Sequence, residues 1–143
     1  MLLSAGNAEA EFPSSLDALA TLMEWFERQR PGGLDEMVWI QAQTALLEGF
    51  TNAVRHAHAN LNPPPAVGVS VEVEPACLRL GIRDHGNPFD LENAWREQID
   101  DPDREAHWGL IILQKLQKEF RWTIRYVPLS EGGNRLLLEC PLA

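Results

Sequence analysis

Glu48, Asn52 and His56 stand four residues apart in the run Leu47-Glu48-Gly49-Phe50-Thr51-Asn52-Ala53-Val54-Arg55-His56-Ala57. Together they offer hydrogen-bond acceptors, donors and a ring that titrates near neutral pH, the equipment of a polar ligand site. Residues at four-residue steps project from the same side of a helix, so the three form one polar seam on an otherwise apolar element. Gln41, Thr44, Thr51 and Arg55 fall near them on the helical wheel. The spacing alone is therefore equally that of a solvated stripe.

Two further runs carry chemistry. In Ile82-Arg83-Asp84-His85-Gly86-Asn87-Pro88-Phe89-Asp90, an ionised and buried Asp84 accepts hydrogen bonds and cannot donate them, so it could select a base with an exocyclic amine, as in adenine. Gly86 would let the backbone approach a flat ring, and Pro88 would fix the turn beneath it. D-x-G-x-P is also an ordinary turn. In Ala106-His107-Trp108-Gly109-Leu110, a glycine in the first turn of a helix would open backbone N–H groups to phosphate oxygens. A helix beginning at Asp101-Pro102 that merely tolerates Gly109 fits the same residues. The lysine-bearing phosphate loop G-x-x-x-x-G-K-[ST] is absent from the sequence, which excludes a P-loop. His56 and His58 are two apart on a helix and face different ways, so a zinc site gathering them with His85 and His107 is disfavoured.

The elements that must position these residues can be read from periodicity. Ser14 or Ser15 caps a first helix, with Leu16, Leu19, Leu22, Met23 and Phe26 at helical spacing until Pro31-Gly32-Gly33. Asp35 starts a second helix expected to reach about Asn60, its apolar residues covering an arc of about 200 degrees. Beyond Pro63-Pro64-Pro65 the period changes to two. Val67, Val69, Val71 and Val73, then Leu78, Leu80 and Ile82, predict a hairpin turning at Glu74-Pro75-Ala76. A polar span follows, and then a third helix with Leu110, Leu113 and Leu116. Two closing strands, about Trp122 to Val127 and Leu136 to Cys140, flank a turn at Gly132-Gly133-Asn134. Helices grouped with an antiparallel sheet predict a two-layer α+β sandwich.

At 143 residues and 45% hydrophobic, the chain suits a single domain spanning 1–143, in which 1–14 is an extra strand or a flexible start. Twenty-one acidic against twelve basic residues give a net charge of -9, a poor match for nucleic acid or anionic membranes. Cys77 and Cys140 form no C-x-x-C pair and are expected as buried thiols. Neither a signal peptide nor a run of transmembrane length is present, so a cytoplasmic protein is expected.

Taken in order, E-x-x-x-N-A-x-x-H-A on a helix, D-x-G-x-P-F-D after a strand, a short span and W-G-L opening a helix resemble the anti-sigma-factor serine/threonine kinases. These belong to the superfamily of gyrase, the heat-shock chaperone, histidine kinases and mismatch-repair ATPases. The resemblance runs from the first helix through Gly132-Gly133. It implies the histidine-kinase-like ATPase fold of Bergerat type, with a mixed, mostly antiparallel sheet covered on one face by helices and an ATP lid over 85–107. It implies ATP and Mg2+ as ligands. Glu48 would be the general base toward a serine hydroxyl and Asn52 the magnesium ligand. Asp84, with Gly86 and Pro88, would hold adenine; Gly109 and Leu110 would meet the phosphates; His56 would line the site. Asn134 occupies the place of a threonine near the base. The partners implied are a sigma factor and an anti-anti-sigma antagonist, and a homodimer is compatible. Where the family's phosphate box begins with glycine this chain has His107, which keeps open a catalytically impaired or nucleotide-free interaction module of the same fold.

Overall fold

Val67, Val69, Val71 and Val73 are all buried along β2 (Val67–Glu74), while the residues between them face outward, as the two-residue strand period requires. The chain turns at Pro75-Ala76 and returns as β3 (Cys77–Asp84), with Val71 opposite Leu80 and Val69 opposite Ile82. β1 (Gly6–Phe12) pairs with β2 on the outer side; β5 (Asn134–Pro141) pairs with β3, and β4 (Thr123–Pro128) closes the far edge. The strand order is β1-β2-β3-β5-β4. All these pairings are antiparallel, so the described sheet is antiparallel throughout rather than mixed. The computed structural model describes residues 6–97 and 108–142.

The edge at β4 is blunted. Gln117 Oε1 accepts the outward N–H of Ile124 at 2.9 Å, and Pro128 has no N–H to offer an incoming strand.

Helices cover the sheet's apolar face. Ser15 caps a 3-10 turn, Leu16–Ala18, that leads into α1 (Leu19–Glu27). Asp35 Oδ1 accepts the N–H groups of Met37 at 2.8 Å and Val38 at 3.3 Å, which starts α2 (Glu36–Asn52). Phe26 and Trp39 stack between these helices, ring centroids 4.3 Å apart, and Trp39 Nε1 donates to Glu27 Oε2. Where α2 crosses the sheet, a Cβ on Gly49 would collide with Ile82 and lie 2.9 Å from a Leu136 methyl. Only glycine permits that approach, and it brings Leu46 and Phe50 to complete burial, each contributing about 1.5–3 kcal/mol.

Two boundaries differ from the sequence expectation. α2 ends at Asn52 rather than near Asn60, because Ala53–Ala57 form a π-turn closed by the His58 N–H to Ala53 carbonyl bond at 2.9 Å. The wider turn delivers His58 to the interior, where it is 2% exposed. Asn134 is the first residue of β5 and not part of the preceding turn, which Leu129 closes by hydrogen bonds to Gly132 and Gly133 and in which those glycines take positive φ (+100 and +81). Within the polar span, α3 (Leu91–Glu97) forms, while 98–107, including His107 and the acidic Asp100, Asp101, Asp103 and Glu105, lie outside the described residues. α4 (Trp108–Glu119) packs along α2, its start beside Glu48 and its far end near Gln41, whose Oε1 accepts from Trp122 Nε1. Cys140 is buried, whereas Cys77, on the sheet's outer face, is only half-buried; both are free thiols.

Candidate functional site

The apolar inner face of the sheet ends in a polar row. Along β3 the inward residues are Leu78, Leu80, Ile82 and then Asp84; along β5 they are Cys140, Leu138, Leu136 and then Asn134. Asp84 and Asn134 are register partners, 3% and 1% exposed. Asn134 Nδ2 donates to Asp84 Oδ1 at 3.1 Å and to the Asn87 carbonyl at 2.8 Å, while its Oδ1 accepts the Phe89 N–H at 3.2 Å. Asp84 Oδ1 also accepts the Gly86 N–H at 2.9 Å. These bonds staple the loop 84–89 to the sheet and place both internal bonds of the carboxylate on Oδ1, leaving Oδ2 for the cleft that Asp84 lines.

A second brace comes from the π-turn. His85 N–H donates to His58 Nε2 at 2.9 Å, so that nitrogen carries no proton and Nδ1–H donates to Ser14 Oγ at 3.0 Å. Burial, more than neighbouring charge, pushes the His58 pKa down; Asp84 opposes the shift and His85 adds to it. Gly86 packs against the same turn. A Cβ there would lie 2.7 Å from the Ala57 carbonyl oxygen, so the close approach this glycine allows is to the end of the helix region, where the sequence pointed to a ligand ring.

Asp84, Gly86, Pro88 and Asn134 from the sheet end, with Asn52 and His56 from α2 and its π-turn, line one cleft of about 230 Å³. His56 is exposed at its rim. Asn52 Nδ2 donates to Tyr126 Oη at 2.7 Å, and the Tyr126 ring meets Phe89 edge-on, centroids 4.8 Å apart. Glu48 is not part of that lining. Its carboxylate lies against the first turn of α4, where a Cβ on Gly109 would fall 2.6 Å from Oε2. Partial burial raises the Glu48 pKa, and Arg55 partly offsets this. The Leu110 side chain belongs to the core, and its carbonyl accepts from Trp95 Nε1 at 2.9 Å, so its side chain does not reach toward phosphates.

Residues 12–139 match the family model described as the histidine kinase-like ATPase domain. The chain belongs to that family. No curated protein matches the chain significantly.

For a histidine kinase-like ATPase domain, nucleotide binding, usually with magnesium, is the expected property. The residues present fit it. A buried carboxylate with one oxygen committed to the protein suits an amine on a base, and the Asn52 carboxamide oxygen is of the hard type that would suit a magnesium ion. Among the described residues no cluster of three His, Cys, Asp or Glu could hold a metal unaided. Among the described residues no helix is long and apolar enough to cross a membrane. The motifs name Phe89 without giving it a role, and give none to Tyr126 or to His58 as a brace. Tyr126 is the chain's only tyrosine, placed two residues after the buried Ile124 and so on the same face; that pairing was the available signal.

Proposed function

We propose that this domain binds Mg-ATP and transfers its terminal phosphoryl group to a serine or threonine of an antagonist protein, acting as a cytoplasmic anti-sigma factor in a partner-switching circuit. The observation that carries the kinase reading is the placement of the Glu48 carboxylate against Gly109 at the start of α4. A helix N-terminus is where phosphate oxygens find N–H donors, so a proton acceptor beside Gly109 would stand near the phosphates of a bound nucleotide. Burial raises the affinity of Glu48 for a proton, the direction that favours a general base.

Asp84 Oδ2 would accept from the adenine amine, and the α4 N-terminus would hold the triphosphate. Magnesium, when bound, neutralises phosphate charge and aligns the β and γ groups. Asn52 would hold it through its carboxamide oxygen. Glu48 would take the proton from the attacking hydroxyl. Phosphoryl transfer asks chiefly for positioning and charge neutralisation, which this set provides. Incubation with labelled Mg-ATP and a candidate antagonist should transfer label, and Glu48→Ala should reduce transfer about 10²- to 10⁴-fold with ATP binding retained. Transfer indifferent to Glu48→Ala rejects the base.

His107, where the family's phosphate box has glycine, favours a second reading: a domain that binds nucleotide weakly or not at all and serves as an interaction module. Calorimetry with ATP, ADP and GTP separates the two. If His107 crowds the phosphates, His107→Gly should tighten ATP binding.

A further inference from the structure

Resting on the Mg-ATP reading of the cleft, we infer that Tyr126 is a positioning residue that fixes the Asn52 carboxamide with its oxygen toward the metal. A carboxamide has two faces of nearly equal shape, and only one of them ligates a cation. Left to rotate, Asn52 would present its NH₂ group to the metal position part of the time. In this fold Nδ2 is committed to Tyr126 Oη at 2.7 Å, which leaves Oδ1 as the opposite arm.

The phenol is itself held. Its ring packs edge-on against Phe89, with centroids 4.8 Å apart and planes at 66°, and the Phe89 N–H is bonded to Asn134 Oδ1. Tyr126 therefore joins three parts of the site that are remote in sequence: the helix carrying Asn52, the loop after Asp84 and the edge strand β4. With Pro88 and Phe89 it also forms the wall between the 230 Å³ cleft and a neighbouring groove of about 690 Å³. A group that orients a metal ligand through a hydrogen bond acts on metal affinity far more than on the remainder of the ligand's contacts.

Tyr126→Phe removes Oη and keeps the ring on Phe89. With the full chain, Mn2+ binding to the ATP complex is read by electron paramagnetic resonance, and ATP binding in chelator by calorimetry. The variant should hold metal-free ATP within about twofold of wild type and lose on the order of tenfold in Mn2+ affinity. Asn52→Ala should show the same loss, and the double variant no further loss. Unchanged Mn2+ affinity in Tyr126→Phe overturns the inference while leaving the Mg-ATP reading intact. Metal-free ATP binding that weakens or tightens in parallel with Mn2+ binding also overturns it, making Tyr126 a wall of the cleft only. A wild-type protein that binds ATP with no dependence on Mn2+ overturns both.

Discussion

Asn134 Nδ2 sits 3.1 Å from Asp84 Oδ1 across the β3–β5 pairing, and the two side chains are almost wholly buried. The same carboxamide closes the loop through Asn87 and Phe89. Asn134→Ala should therefore cost about 2–3 kcal/mol in urea unfolding, since it leaves a carboxylate oxygen, a carbonyl and an N–H short of partners. Adenine nucleotide affinity should fall with it, because the loop that aims Asp84 loses its staple. A variant of wild-type stability would show that water replaces the staple without loss.

Two glycines should respond oppositely to the same change. A Cβ at Gly86 meets backbone, the Ala57 carbonyl oxygen at 2.7 Å, so Gly86→Ala must shift either the loop or the π-turn and should cost about 1–3 kcal/mol. A Cβ at Gly109 meets only the end of the Glu48 side chain, which can swing aside. Gly109→Ala should leave the denaturation midpoint nearly unchanged and still reduce phosphoryl transfer by about tenfold or more, through displacement of the base. Thermal melts of the two variants beside transfer assays separate these effects; equal destabilisation would contradict the argument.

The halves of this site differed in how openly the sequence announced them. The alternating valines of β2, the cap at Asp35 and the motif order led directly to the sheet, to α2 and to the family. The end of α2 was not legible, since Ala53-Val54-Arg55-His56-Ala57 has ordinary helical composition and its π-turn is set by where His58 must reach. Gly132-Gly133 make Asn134 look like a turn residue, yet its register opposite Asp84 is a long-range fact that no local pattern encodes. Leu110 illustrates the converse. Its motif neighbour Gly109 faces Glu48, but helical geometry sends the next side chain into the core.

Glu48→Gln should separate stability from activity. Because burial raises the folded-state pKa of Glu48 above its ordinary 4.5, its contribution to stability is fully present below pH 4.5 and lost as pH rises through the folded value. At pH 7 the ionised carboxylate is therefore a cost, only partly relieved by Arg55. The neutral isostere should melt slightly higher than wild type at pH 7, on the order of a degree, and the gap should close near pH 4. Phosphoryl transfer should meanwhile be lost. A lower melting temperature at pH 7 would mean that the carboxylate accepts hydrogen bonds that outweigh its desolvation.

His58 should give the fold an acid-sensitive step. In the folded protein its Nε2 must be unprotonated to accept the His85 N–H, and burial lowers its pKa below the ordinary 6.5. The unfolded chain then binds the proton first as pH falls, so the stability linked to His58 is complete above pH 6.5 and is lost as pH drops through the depressed folded value. His58→Gln supplies a carbonyl oxygen that can accept from His85 and does not titrate. Urea unfolding of both proteins from pH 7.5 to 5 should give a stability difference that is flat above about pH 7 and turns against wild type below about pH 6.5. Parallel curves would mean that protonated His58 finds another arrangement, and that the brace between the π-turn and the loop after Asp84 does not depend on its lone pair.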